Sequence, residues 1–115
     1  MPSLIIATNL KKDQIPEKFC SEATAFLADE LGKPPGYILI QVCPDQVMTF
    51  GDSGEPCANI TLNCIGVVGP DKNRKMAPKL SDFIEKKLGI KKDRFYINIF
   101  DIERSSCVWN GSTFG

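Results

Sequence analysis

The strongest constraint on the fold is an order of elements that repeats across the two halves of the chain. Leu31-Gly32 is followed by Tyr37-Ile38, and Leu88-Gly89 by Tyr96-Ile97, a period of about half of the 115 residues. The shared letters are few, yet each stands at the same place in a strand–helix–strand unit, as an internal duplication predicts. In the first unit, residues 4–10 are β-branched and apolar and end at Lys11-Lys12-Asp13, the pattern of a strand. Phe19, Ala23, Phe26, Leu27 and Leu31 then fall on one helical face, with Pro16 suited to the first turn. Gly32 is placed to cap that helix, and Pro34-Pro35 bars its continuation. Residues 37–42 form a near-continuous apolar run, as expected of a strand covered on both faces.

The second unit opens at residues 59–64, where Ile60, Leu62 and Cys64 alternate with Asn59, Thr61 and Asn63. That is the period of a half-buried strand. Residues 51–56 form the loop before it, and residues 66–73 the connection after it. A helix runs through Met76, Leu80, Phe83, Ile84 and Leu88 and ends at Gly89, so Pro78 must lie in its first turn or kink it. Residues 95–100 make the fourth strand, and residues 107–109 a short one before the Asn110-Gly111 turn. Right-handed crossovers place both helices on one face of a four-stranded mixed sheet. The expected class is α+β, a duplicated βαβ unit. Its other sheet face is bare, and strands this apolar need a cover there, so the pattern predicts an oligomer packed sheet against sheet.

Composition removes most other chemistries. The length predicts one domain spanning residues 1–115. Basic and acidic residues both number 14, so no net field favours nucleic acid or an anionic membrane. The roughly 18-residue apolar run needed for membrane insertion is lacking. The first residues lack the basic start and apolar stretch of a signal peptide, which predicts a cytoplasmic protein whose export needs another route. Five cysteines without a Cys-x-x-Cys spacing predict buried or partly buried free thiols. With no histidine, Ser-His-Asp and Cys-His nucleophile pairs and histidine-bound metals are removed together.

Four features remain for chemistry. A small residue after the initiator permits removal of Met1, which would leave the secondary amine of Pro2 as the terminus. An α-amine titrates at about 7.7–8.0, nearer neutrality than any lysine, and burial beside Leu4 and another cation would bring it into a general base's range. Lys33, just past Gly32, is either a site cation or a charge complementing the helix end. Tyr96 and Asn98 share strand parity, either as a polar pair toward a ligand or as a solvated pair. Asp52 and Glu55 are either paired carboxylates or solvated loop charges.

Taken together the residues resemble one family. Met1-Pro2, Thr8-Asn9, Gly32-Lys33-Pro34-Pro35, Tyr37-Ile38, Pro44-Asp45-Gln46, Met48 with Phe50-Gly51, and Glu55-Pro56-Cys57-Ala58 are similar to the macrophage migration inhibitory factor family of the tautomerase superfamily. So are Ile65-Gly66, Asn73-Arg74, Asp93-Arg94, Tyr96-Ile97-Asn98 and Asn110 with Ser112-Thr113-Phe114, and the likeness spans the whole chain. It implies a homotrimer and a keto–enol tautomerase for phenylpyruvate- or dopachrome-like carboxylated substrates, working without metal or organic cofactor. In that family the terminal proline is the base, which maps onto Pro2. Lys33 maps onto the carboxylate-binding cation, Ile65 onto a backbone donor, and Tyr96 and Asn98 onto polar groups supplied by a neighbouring subunit. The resemblance also implies an alternative, a secreted cytokine-like ligand of a cell-surface receptor, with Lys12 and Asp45 where receptor contacts are proposed. Three positions depart from the family pattern: Cys57 begins no Cys-x-x-Cys pair, Cys107 replaces an apolar residue, and Phe100 stands where tyrosine is common.

Overall fold

The computed structural model describes residues 1–115. In chain order the elements are β1 (Pro2–Thr8), α1 (Phe19–Leu31), β2 (Leu39–Cys43), β3 (Ala58–Cys64), α2 (Pro70–Leu88), β4 (Phe95–Asp101), β5 (Val108–Trp109) and β6 (Ser112–Thr113). The main sheet runs β2-β1-β3-β4. Both predicted βαβ units form. β1 pairs parallel to β2 with Leu4 beside Ile40, and β3 parallel to β4 with Ile60 beside Ile97. The units join through antiparallel β1 and β3, where Leu4 opposes Leu62 and Ile6 opposes Ile60.

Opposed residues share a face, so that central quartet forms one apolar patch, and all four side chains are 0% exposed. Onto it α1 lays Phe19, Ala23, Leu27 and Leu31, and α2 lays Met76, Leu80, Ile84 and Leu88. Both helices thus use an i, i+4 stripe, the spacing that keeps side chains on one face. Each fully buried aliphatic side chain contributes roughly 1.5–3 kcal/mol, so Leu62→Ala at the patch centre removes more than a surface change would. Gly32 and Gly89 end the helices in the left-handed region, at φ 63° and 70°, where a Cβ is unfavourable.

Several boundaries differ from the sequence reading. β1 starts at Pro2 and ends at Thr8, because the buried Thr8 hydroxyl accepts the Leu10 N–H (3.1 Å) and turns the chain out of the sheet. Pro16 precedes α1, its carbonyl accepting the Phe19 N–H (2.9 Å) in a turn ahead of the helix. Tyr37 closes a 3-10 turn, Pro35–Tyr37, so β2 begins only at Leu39. β2 is an edge strand, and Leu39 is 59% exposed within one chain, so it is not covered on both faces. α2 begins at Pro70, a favoured first-turn position, and absorbs half of the expected connection. Pro78 therefore lies inside the helix, where it withholds one N–H on the solvent-exposed side. Cys20 is exposed, unlike the other four free thiols.

The face of the sheet away from the helices carries Tyr96, Asn98 and Phe100 on β4, all exposed, while Phe95, Ile97 and Ile99 turn toward the helices. The short strand expected before the Asn110-Gly111 turn is β5, and it pairs across that turn with β6, which the sequence reading lacked.

Candidate active site

Pro2 occupies the first position of β1, opposite Cys64, and is fully buried. Proline is tolerated there because it has no N–H to give a ladder, so the sheet makes no demand on its nitrogen. Met1 stands directly before it. Met1 lines a cavity of about 160 Å³ together with Lys33 and Ile65. Lys33 follows the α1 cap and Ile65 follows β3, so the ends of two different units meet there. Pro34, Tyr37, Arg104 and Phe114 complete the wall. The Tyr37 ring lies 5.1 Å from Trp109 and 6.2 Å from Phe114, an edge-to-face cluster that makes one side aromatic. The tail carrying Phe114 is tied down by its own N–H, which donates to the carbonyls of Arg104 (3.1 Å) and Cys107 (3.2 Å).

The charge balance of this cavity is positive. Lys33 is half-buried, its Nζ makes one long contact to the Ile65 carbonyl (3.5 Å), and it has no ion pair. Behind the cavity, burial pushes the Cys64 thiol up to about 11; Asp101 adds to that rise, while Lys33 and the terminal amine oppose it. A cation, a chain terminus and backbone groups in a partly apolar recess can hold a small carboxylate and move a proton beside it.

The family model for macrophage migration inhibitory factor matches residues 1–115. The chain belongs to the macrophage migration inhibitory factor family. The macrophage migration inhibitory factor homolog of Brugia malayi is 44% identical over 115 residues, covering 100% of both chains. The Xenopus tropicalis macrophage migration inhibitory factor is 41% identical over 114 residues, 99% of each. Among solved structures, macrophage migration inhibitory factor from Trichinella spiralis superposes with a TM-score of 0.95 at 37% identity, covering 97% of this chain and 99% of that one. The α+β architecture of the family is the one described above.

Of the residues that the family resemblance singled out, one chain brings Lys33 and Ile65 to the same cavity, while Pro2 is buried beside it and reaches it only through the preceding Met1. Tyr96 and Asn98 stand elsewhere, on the exposed sheet face, with Tyr96 68% exposed and its ring 5.0 Å from Phe50. Asp52 and Glu55 do not line the cavity. They belong to a loop whose carbonyls are held from outside. Arg94 donates to the carbonyls of Phe50 (3.1 Å), Ser53 (3.0 Å), Glu55 (3.0 Å) and Pro56 (2.9 Å). The Asn9 amide donates to those of Gly54 (3.0 Å) and Glu55 (3.1 Å).

Sequence reasoning did not assign Tyr37, Arg104 or Phe114 to the site. Tyr37 and Phe114 stood in family-like motifs, but only the fold shows that they share a wall. For Arg104 there was no signal, since an arginine between Glu103 and Ser105 reads as a solvated charge. No helix is long and apolar enough to cross a membrane.

Proposed function

We propose that the chain, once Met1 is removed, is a cofactor-independent keto–enol tautomerase for phenylpyruvate- or dopachrome-like carboxylated substrates. Family membership supports tautomerase-type and cytokine-type function in general. The observation that carries the enzymatic reading is that β1 delivers the chain terminus into the cavity lined by Lys33 and Ile65. In this reading the substrate carboxylate pairs with Lys33 and its apolar body lies on Tyr37 and Phe114. The neutral Pro2 nitrogen takes the proton α to the carbonyl, the Ile65 backbone and polar side chains steady the enolate oxygen, and the same proton returns to oxygen. The apolar surroundings keep the amine poorly solvated and so favour its uncharged, basic form.

Tyr96 and Asn98 complete the site only if a neighbouring subunit presents them. Their exposure on the open sheet face supports a homotrimer in which that face is covered by partner chains. The proposed location is cytoplasmic, with export by a signal-peptide-independent route. The decisive experiment is a phenylpyruvate tautomerase assay, after metal chelation, on protein whose Pro2 terminus is verified by mass spectrometry. Turnover by a species of three times 12.7 kDa in light scattering is the expected result, and an inactive or monomeric protein contradicts the reading.

A second reading has its own observation. Lys11, Lys12, Asp13 and Asp45 border one open surface cavity of about 540 Å³, a charged surface suited to a receptor. A cytokine-like ligand would keep cell-surface binding when Pro2 is blocked and lose it on Asp45→Ala.

A further inference from the structure

We propose that Arg104 makes this cavity a two-cation site, selecting small keto or enol acids that carry a second anionic group at the end away from the reacting carbon. The proposal rests on the tautomerase reading for which end reacts, and on the cavity alone for the charge.

Lys33 and Arg104 line the same recess from different elements, the residue after the α1 cap and the 3-10 turn Arg104–Ser106. Neither is paired with a carboxylate of its own chain. The chain's four ion pairs are Arg74–Asp71, Lys79–Glu30, Lys87–Glu22 and Lys92–Asp82, all elsewhere. The Arg104 guanidinium makes no side-chain hydrogen bond, and Lys33 makes only the long contact to the Ile65 carbonyl. Two carboxylates lie nearby, Asp101 and Glu103, bordering an adjoining cavity that shares Arg104 as a wall. Asp101 already accepts the Gly66 N–H (2.9 Å), and neither carboxylate is within ion-pair distance of Arg104 or Lys33.

A monoanionic substrate would satisfy Lys33 and leave Arg104 unmatched. A dianion satisfies both. The guanidinium presents a planar fork that accepts a carboxylate through two parallel bonds, unlike a lysine point charge. Its backbone is held, since the Arg104 carbonyl accepts the Phe114 N–H (3.1 Å). Tyr37 and Phe114 line the same recess and offer an apolar wall for the middle of the ligand. The ligand class is therefore a small acid with anionic groups at both ends and an apolar or aromatic centre.

The test uses Pro2-terminated protein and two matched pairs of probes. Phenylpyruvate and para-carboxyphenylpyruvate report turnover. Benzoate and terephthalate, which have no α-proton, report binding through fluorescence of Trp109, the only tryptophan. Wild type is expected to favour the dianion about tenfold in both kcat/KM and Kd, and added salt should erode that preference. Arg104→Gln is expected to abolish the preference by weakening the dianion about tenfold more than the monoanion, whereas Lys33→Ala weakens both members of each pair alike. Arg104 is exposed, so the variant should fold, and Arg104→Lys should recover only part of the preference. Equal handling of both anions by wild type, or a preference that survives Arg104→Gln, overturns the proposal. If no keto acid is turned over but Arg104-dependent terephthalate binding stands, the two-cation site is upheld and the tautomerase reading fails.

Discussion

The Lys33 ammonium stands 3.5 Å from the Ile65 backbone carbonyl, a contact that joins the exit of α1 to the exit of β3. Both residues line the recess that Met1 also lines. Removing the Lys33 ammonium tests two roles at once. Lys33→Ala is expected to raise KM for a carboxylated keto acid by about tenfold, the scale of a lost charge-assisted contact. It should also move the pH–rate profile upward, because loss of a nearby positive charge makes protonation of the Pro2 amine easier. Steady-state kinetics across pH checks both; an unchanged KM and profile would reduce Lys33 to a helix-end charge.

Arg94 is a structural clamp whose loss should be felt in stability. Its guanidinium serves four carbonyls of the 50–56 loop and lies 5.7 Å from the centre of the Phe50 ring. Arg94→Ala should destabilise the protein by roughly 2–4 kcal/mol and expose the loop to proteolysis. Arg94→Lys should recover little, because an ammonium cannot reach four acceptors in a plane. Urea midpoints and limited proteolysis decide it, and an Arg94→Ala variant as stable as wild type would contradict the clamp.

Cys64 gives the stability a defined alkaline edge. Its thiol titrates at about 11 in the fold against an ordinary 9.0, raised chiefly by burial. Between those values the unfolded chain binds fewer protons than the folded one, so stability falls as pH rises through that window and is fully present below it. The site is partly screened, and the loss should be roughly 1–2 kcal/mol. Urea unfolding at about pH 8 and about pH 11 should show a decline in wild type that is smaller in Cys64→Ala. An equal decline in both would assign it to other groups.

The framework was legible because it is periodic. Ile60, Leu62 and Cys64 alternate as β3 requires, and the glycines at 32 and 89 stop helices whose buried residues recur every four positions. Boundaries were less legible where one side chain decides them, as at Thr8, whose hydroxyl ends β1, and at Pro70, which starts α2 earlier than its apolar stripe does. The grouping of Lys33 with Ile65 was legible only through family resemblance, and so was the role proposed for Pro2, since each alone has an ordinary structural reading. Arg104 was invisible because its meaning comes from a cavity assembled by residues up to about a chain length apart, Met1 to Phe114. Tyr96 and Asn98 were readable as one face of β4, yet what that face meets depends on a second subunit.

The central claim is that the Pro2 nitrogen is the base, and a single comparison tests it most directly. Protein with Met1 removed and protein with Met1 retained should be assayed side by side on the same keto acid, each terminus verified by mass spectrometry. Retaining Met1 turns the Pro2 nitrogen into an amide with no available lone pair, yet leaves β1, its pairing with Cys64 and the core unchanged. Activity should fall by about 10²–10⁴-fold or more, the usual contribution of a general base, with circular dichroism and oligomeric state unaltered. Pro2→Gly, which keeps an amine but loses the ring, should fall less. Full activity with Met1 in place would contradict the account and move the base to another residue.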